Sequence, residues 1–322
     1  MKQLILFYVL PFMLFSCQPS GPKGSSPSPP SQSLARPAVY EFQSEPVRLS
    51  DYWYQGAAEV SRYELHQNRY ADVHPGTVIA VFVTEDFLAD KQVKNDNYSN
   101  PNSIPILKMN MINRFTTGLY DYSVMRSVFT PVKVKEHPQT LKVSTTSQDW
   151  CGHVYMQLNF RDGQYASTLH SYFENEADQQ QEVPYAILED ELFNRIRMNP
   201  EGLPTGPVSI LPSTMIVRLK HLPFQAVQAQ ASLTPYQGTE FQGDNLRAYS
   251  VNFPSLKRTL QIVFQAEEPY LIEGWTDAYP SMSDGKVRTT LARRTKTIRE
   301  KYWQKHGLED TAMRQELGLE FF

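Results

Sequence analysis

The chain has 322 residues, of which 41% are hydrophobic and 20% charged, with 31 Lys and Arg against 34 Asp and Glu for a formal net charge of −3. That near balance excludes a general electrostatic attraction to nucleic acid, so no nucleic-acid partner is expected. The hydrophobic share is adequate for a core, and the length allows one large domain or two ordinary ones.

Lys2 supplies a positive charge, and "LILFYVLPFMLF" follows with no charged residue and a single proline. This is the apolar core of a secretory signal, too short to span a bilayer. Leu14 and the small Ser16 precede Cys17 so that "LFSC" resembles the lipobox of bacterial lipoproteins. The resemblance implies removal of residues 1–16 and acylation of Cys17, which becomes the first residue. The competing reading is an ordinary signal peptide with an incidental cysteine, or a retained N-terminal anchor.

Residues 17–37 ("CQPSGPKGSSPSPPSQSLARP") are dominated by Pro, Ser and Gly. Such a stretch buries too little apolar surface to offset its ordering entropy and is expected to be a flexible tether. Gln18 rather than Asp follows the cysteine. In the lipoprotein family that implies the outer membrane, and the lack of an early acidic cluster points to its periplasmic face. With Cys17 acylated, Cys151 has no partner in the chain for a disulfide.

The body, from about residue 38, carries mostly strand signals. "AEVSRYELHQ" (58–67), "TVIAVFVT" (77–84), "IPILKMN" (104–110) and "TLKVSTTS" (140–147) are β-branched or alternating runs. Between them, "VTEDFLADKQVKND" (83–96) sets Glu85 and Asp86 among lysines. Paired carboxylates could serve as acid and base, whereas alternating charges in a loop describe a solvated turn. "TGLYDYSVMRSVFTP" (117–131) concentrates Tyr120 and Tyr122 near Gly118, either at the mouth of a barrel where a ligand enters or in ordinary core packing.

The sharpest local expectation is a hairpin over 149–173, turning at Asp162-Gly163 because a type I′ turn needs positive φ at both central residues. Counting outward pairs Phe160 with Tyr165, Met156 with Leu169 and Val154 with Ser171 on an apolar side. His153, Tyr155, Gln157, Asn159, His170 and Tyr172 fall on the other. Rings beside amide and imidazole groups suit sugars, phosphates or lipid headgroups, so His153, Tyr155, Gln157, His170 and Tyr172 are candidate ligand residues, with Tyr120 and Tyr122 beside them. A solvated sheet face with normal β-formers is the plainer alternative. Cys151 lies on the same side by parity, so that with His153 or His170 it could form a thiolate–imidazole pair or a zinc site. Neither signal is specific, and no metal or cofactor is assigned.

"YAILEDELFNRIRMN" (185–199) has helical spacing with Gly202 beyond its end. "NPEGLPTGPVSILP" (199–212) is rich in Pro and Gly and is expected to connect a first half, 38–198, to a second, 205–322, which could also form one continuous domain. "TMIVRLK" (214–220), "AVQAQASLTPY" (226–236), "LRAYSVNF" (246–253), "RTLQIVFQ" (258–265) and "YLIEGWT" (270–276) read as further strands. Residues 286–306 hold eight Lys and Arg against Glu300 alone. Arg293, Arg294 and Lys296 could therefore rest on anionic headgroups, or be balanced by the acids near the C-terminus. "TKTIREKYWQKHG" (295–307) is read as a helix capped at Gly307, followed by a short piece in "EDTAMRQELG".

The fold class that follows is mainly β, with antiparallel sheets forming an open barrel or two packed curved sheets and a few short helices including a C-terminal one. "VIAVFVTEDFLADKQVK", "FTTGLYDYSVMRSVFTPV", "SQDWCGHVYMQLN", "YW" and "RQELGL" together resemble a group of Gram-negative envelope lipoproteins of unknown function. Some of these carry a label as septum-formation inhibitors, a pyrophosphatase family whose Ser-x-Ser-Pro-Arg-Arg pattern does not occur here. The second half resembles a β-rich periplasmic domain of unknown function in which a long sheet forms an open barrel. These features favour binding or envelope assembly, with a lipid, glycan or envelope protein as ligand, over catalysis. The alternative is a hydrolase using Cys151 with His153 or His170, or Glu85 with Asp86.

Overall fold

Period-two alternation recurs through the body, and every strand among the described residues enters one sheet. The computed structural model describes residues 49–319; the signal stretch, Cys17 and the tether lie outside them. In chain order the strands are β1 (Ala58–Arg69), β2 (Asp72–Leu88), β3 (Val93–Lys94), β4 (Ser103–Thr117), β5 (Tyr120–Pro131), β6 (Lys142–Gln148), β7 (His153–Arg161), β8 (Gln164–His170) and β9 (Gln179–Pro184). The second series is β10 (Ile187–Leu188), β11 (Gly206–Leu211), β12 (Val227–Pro235), β13 (Leu246–Phe253), β14 (Arg258–Gln265), β15 (Ile272–Pro280) and β16 (Val287–Glu300). Three short α-helices accompany them: α1 (Leu192–Met198), α2 (Thr214–Lys220) and α3 (Ala312–Glu316).

The strands follow one path, β10-β11-β12-β13-β14-β15-β16-β1-β2-β4-β5-β6-β7-β8-β9, with β3 attached to β2. Every ladder is antiparallel except β10 with β11. The two halves share this sheet through β16 and β1, where Val60 stands opposite Ile298. Only Tyr185 and Ala186 separate β9 from β10 in the chain, yet no ladder joins those ends among the described residues, so the sheet is not closed into a barrel.

Parity decides the two faces. Val78, Ala80 and Phe82 of β2 join the principal core with Leu107, Met109 and Met111 of β4, and α1 and α2 pack into that same cluster. Val81 and Val83 point the other way, into a small cluster that Leu317 covers from beside α3. One face of the sheet is therefore filled by α1 and α2. The other carries small satellite clusters.

The 149–173 hairpin has the expected register, with Phe160 opposite Tyr165, Met156 opposite Leu169 and Tyr155 opposite His170; its ladder ends there. Asp162 and Gly163 both have positive φ, as the tight turn requires.

Three expectations are corrected. "TMIVRLK" is α2, because seven residues satisfy either period and Ser213 caps the helix by accepting a hydrogen bond from the Met215 amide. Conversely, residues 295–300 belong to β16, because β1 needs a partner along its edge and Ile298 supplies an apolar position opposite Val60. A single 3₁₀ turn, Tyr302–Gln304, follows that strand in place of the helix. Finally, the connection expected over 199–212 contains β11, in which Val208 and Ile210 are buried on either side of half-buried Ser209.

Candidate functional site

Antiparallel order brings alternate connections to one end of the sheet: the turns after β1, β4 and β15, the loops after β6 and β8, and the C-terminus of α2. Aromatic residues from these segments touch in sequence. The Tyr70 hydroxyl is 2.7 Å from those of Tyr120 and Tyr122. The Tyr120 ring lies 6.4 Å from Trp150. Tyr172 packs so closely on Gly152 that a Cβ there would come within 2.7 Å of its ring. Tyr172 meets Phe173 at 5.4 Å, and Phe173 meets His221 edge-on at 4.6 Å. Lys220, next along α2, donates to the Pro280 carbonyl at 2.8 Å and lies over the Tyr279 ring. Ser281 donates to the Tyr70 carbonyl and so completes a ring of contacts around this end.

The ring is amphipathic and open to water. Trp150 is 69% exposed, Tyr172 62%, and the neighbouring loop-tip residues Leu119 and Met282 are 80% and 59% exposed. Large apolar groups gathered at one end of a sheet exceed the scattered exposure that needs no explanation. Burial, then the hydrogen bond to Tyr70, pushes the Tyr122 phenol up, so it stays a neutral hydrogen-bonding group.

Two cavities meet this ring, one inside it and one that touches it at His221. One, of about 220 Å³, lies between the β1 and β15 turns and the end of α2, and is lined by Arg69, Tyr70, Lys220, His221, Ser281 and Ser283 among others. The second, of about 420 Å³, lies between β9 and the segment after α2, with Gln179, Gln181, Arg218, His221 and Phe224 on its walls. Glu176 organises the ground between them, bonding Arg218 and His221 at 2.9 Å each and Ser171 at 2.5 Å. Burial alone would raise the Glu176 carboxyl, but the bonds from Ser171, His221 and Arg218 outweigh it and hold the group low.

Of the ligand residues expected from sequence, Tyr120, Tyr122 and Tyr172 belong to the ring. His153, Tyr155, Gln157 and His170 do not line these two cavities. Tyr155 bonds Gln157 at 2.5 Å, Gln157 bonds Asn159 at 2.7 Å, and Asn159 reaches Gln92 at 3.1 Å, a polar ladder along a sheet face. His170 lies 3.2 Å from Asp178, and His153 is exposed.

The groups weighed for catalysis are placed apart. Glu85 and Asp86 are consecutive on β2 and so point to opposite faces, and Glu85 holds Lys108 at 2.5 Å. Asp149, two residues before Cys151, pushes that exposed thiol up, away from the thiolate a nucleophile needs. Among the described residues no cluster of three or more His, Cys, Asp or Glu is arranged to hold a metal. Arg293 pairs with Glu240, Arg294 with Glu273 at 2.8 Å and Lys296 with Glu316 at 3.5 Å, so these cations are balanced within the chain.

Arg69, Tyr70, Phe173, Lys220, His221 and Tyr279 were not foreseen. They come from segments as much as 210 residues apart, and only the strand order assembles them. No helix among the described residues is long and apolar enough to cross a membrane. Comparison with protein families, with curated proteins and with solved structures finds no match to this chain.

Proposed function

We propose that this chain is an envelope lipoprotein, held through acylated Cys17 and the 17–37 tether to the periplasmic face of the outer membrane, whose body binds a glycan or lipid headgroup at the aromatic ring. The observation that carries this reading is the joint placement of exposed rings and cavities at one end of the sheet, while the interior is occupied by α1 and α2. A ligand is therefore met at the rim and not swallowed into a lumen. Ring planes beside polar edges fit sugars and headgroups, and the rigid turns of a sheet hold them in place. A second reading, docking of an envelope protein on the same ring, is favoured by the exposure of Leu119 and Met282.

The test uses the full chain in detergent against immobilised envelope glycan and lipid extracts. Trp150→Ala and Tyr172→Ala are expected to bind about five- to thirtyfold more weakly, the effect of removing one aromatic side chain worth about 1–2 kcal/mol, with unchanged thermal unfolding. Wild-type binding by both variants would sink the reading. A loss of protein capture alone would select the second. Incorporation of radiolabelled fatty acid, abolished by Cys17→Ala, tests the anchor separately.

A further inference from the structure

The buried arginines of the interior are neutralised by carboxylates. Arg126 takes Asp190, Arg195 takes Glu191, Arg197 takes Glu59, Arg218 takes Glu176, and Arg258 takes Glu189 and Asp277. The cations at the cavity of about 220 Å³ have partners of another kind. Arg69 and Lys220 both line it, and among the described residues neither is paired with a carboxylate. Arg69 donates to the Leu219 carbonyl and to the Tyr122 hydroxyl, and its guanidinium lies against the rings of Tyr70 and Tyr122. Its Nε–H is buried without a partner. Lys220 has the Pro280 carbonyl and the Tyr279 ring. His221 adds a third group that can carry positive charge, although Glu176 already accepts its Nδ1 side. No Asp or Glu is among the residues lining the cavity.

The plainer account is that Arg69 serves the Leu219 carbonyl at the C-terminus of α2, and that Lys220 sits at that same negative end while bonding Pro280. It covers only part of the charge. A helix terminus contributes about −0.5 elementary charge at most, and a helix of seven residues has no reserve beyond it, against two full positive charges in one cavity. Behind Lys220 lies Asp277, which shares the single guanidinium of Arg258 with Glu189, so Lys220 offsets part of the surplus negative charge there. The cavity keeps the positive charge of Arg69, which no carboxylate pairs among the described residues, beside the Lys220 ammonium, with Tyr70, Ser281 and Ser283 around it.

We propose that this cavity is a binding site for a phosphate-type oxyanion, held by Arg69 and Lys220 and flanked by the Tyr70 ring. A guanidinium and an ammonium converging on one pocket suit a tetrahedral dianion, since charge-assisted hydrogen bonds are the strong ones and Arg adds a planar fork. The oxyanion belongs either to a free phosphate or to the phosphate of a lipid headgroup. The inference rests on the rim reading only in where the ligand enters, since its charge argument is local to the cavity.

Calorimetry on the full chain in a non-ionic detergent, at low salt, with inorganic phosphate and with dihexanoylphosphatidylglycerol as probes, tests the site. At least one probe is expected to bind with a Kd of about 1 mM or tighter. Lys220→Met and Ser283→Glu are each expected to weaken it about tenfold or more, the scale of removing one charge-assisted hydrogen bond or of setting one carboxylate against the anion. Ser283 is exposed in the turn after β15, so Ser283→Glu leaves the fold intact should Lys220→Met disturb it. Tighter binding of the short-chain ester marks a headgroup as the source; equal or tighter binding of inorganic phosphate marks a free anion. No heat from either probe up to ~10 mM, or wild-type binding by Ser283→Glu, overturns the proposal. Trp150→Ala keeps phosphate binding even where it loses the glycan or lipid ligand, so failure of the ring and failure of the cavity are told apart.

Discussion

Inside the sheet, three consecutive acids on the approach to α1 each meet a cation. Glu189 lies 2.5 Å from Arg258, Asp190 2.8 Å from Arg126 and Glu191 2.8 Å from Arg195. Thr214 and Ser213 close the remaining valences of Asp190, and Thr140 those of Glu191. At the rim, Arg69 and Lys220 meet carbonyls, hydroxyls and rings instead. Where water is excluded, each charge has its counter-charge, since an unpaired one would cost several kcal/mol. At the open end, two cations that line one cavity have no carboxylate partner among the described residues. That difference separates charges that hold the molecule together from charges left available to something else.

Removing an interior cation should give the largest effect. Arg258→Met strands Glu189 and Asp277, both buried beside it, and is expected to destabilise by about 3–5 kcal/mol in urea unfolding. Arg197→Met belongs to the same class, and its pH dependence has a definite sign. Burial alone would raise the Glu59 carboxyl, yet Arg197, bonded to it at 2.6 Å, overcomes burial and holds it below the ordinary value. A carboxyl held low when folded stabilises above its unfolded pKa of about 4.3, and that contribution is lost as pH falls through the folded value. In Arg197→Met, burial without the guanidinium raises Glu59, so the gap between wild type and variant is expected to be full at neutral pH and to narrow as pH falls from above about 4.3 towards the wild-type folded value. A gap that stays constant with pH would mean that Arg197 acts through packing on Trp53 and Phe82 rather than through Glu59.

The strands were legible because alternation is local. The stretches "RTLQIVFQ" and "LRAYSVNF" coincide with β14 and β13, and the Asp162-Gly163 turn fixed the register of β7 on β8. The misread segments are those where tertiary context chose between two allowed periods: seven residues at α2, and the end of β16 drawn into pairing by β1. The charged residues of "LEDELFNRIR" are all buried, and most find partners more than 60 residues away in the chain. Nothing local announces such partners. Tyr120 and Tyr122 were visible as an aromatic concentration, whereas Arg69 and Lys220 are single basic residues in unrelated stretches, joined only by the strand order.

Lys220→Met sharpens the comparison from the other side. Burial, and then Arg258, pull the Lys220 ammonium below its ordinary pKa, with Asp277 opposing, so the charged form gains nothing from the fold. The substitution is expected to change stability by less than about 1 kcal/mol, several times less than Arg258→Met. A loss equal to that of Arg258→Met would make Lys220 a structural cation and erase the distinction between the regions.

The smallest effect lies at Cys151, and it reports on Arg69. Asp149 lines a narrow cleft with Arg69, yet its carboxylate accepts from the backbone amides of Cys151 at 2.6 Å and Gly152 at 3.3 Å. An acid satisfied by amides keeps its full negative charge, and the field of Asp149, ahead of the other causes, raises the neighbouring thiol. Alkylation of Cys151 near neutral pH, followed by peptide mass, is expected to be slower than that of a free cysteine, and Asp149→Asn should speed it severalfold. Were Asp149 neutralised by Arg69, its field at the thiol would be largely cancelled, Cys151 would react at the ordinary rate and Asp149→Asn would change little. The labelling rate thus tests, without any ligand, whether Arg69 remains free of a counter-charge at the open end of the sheet.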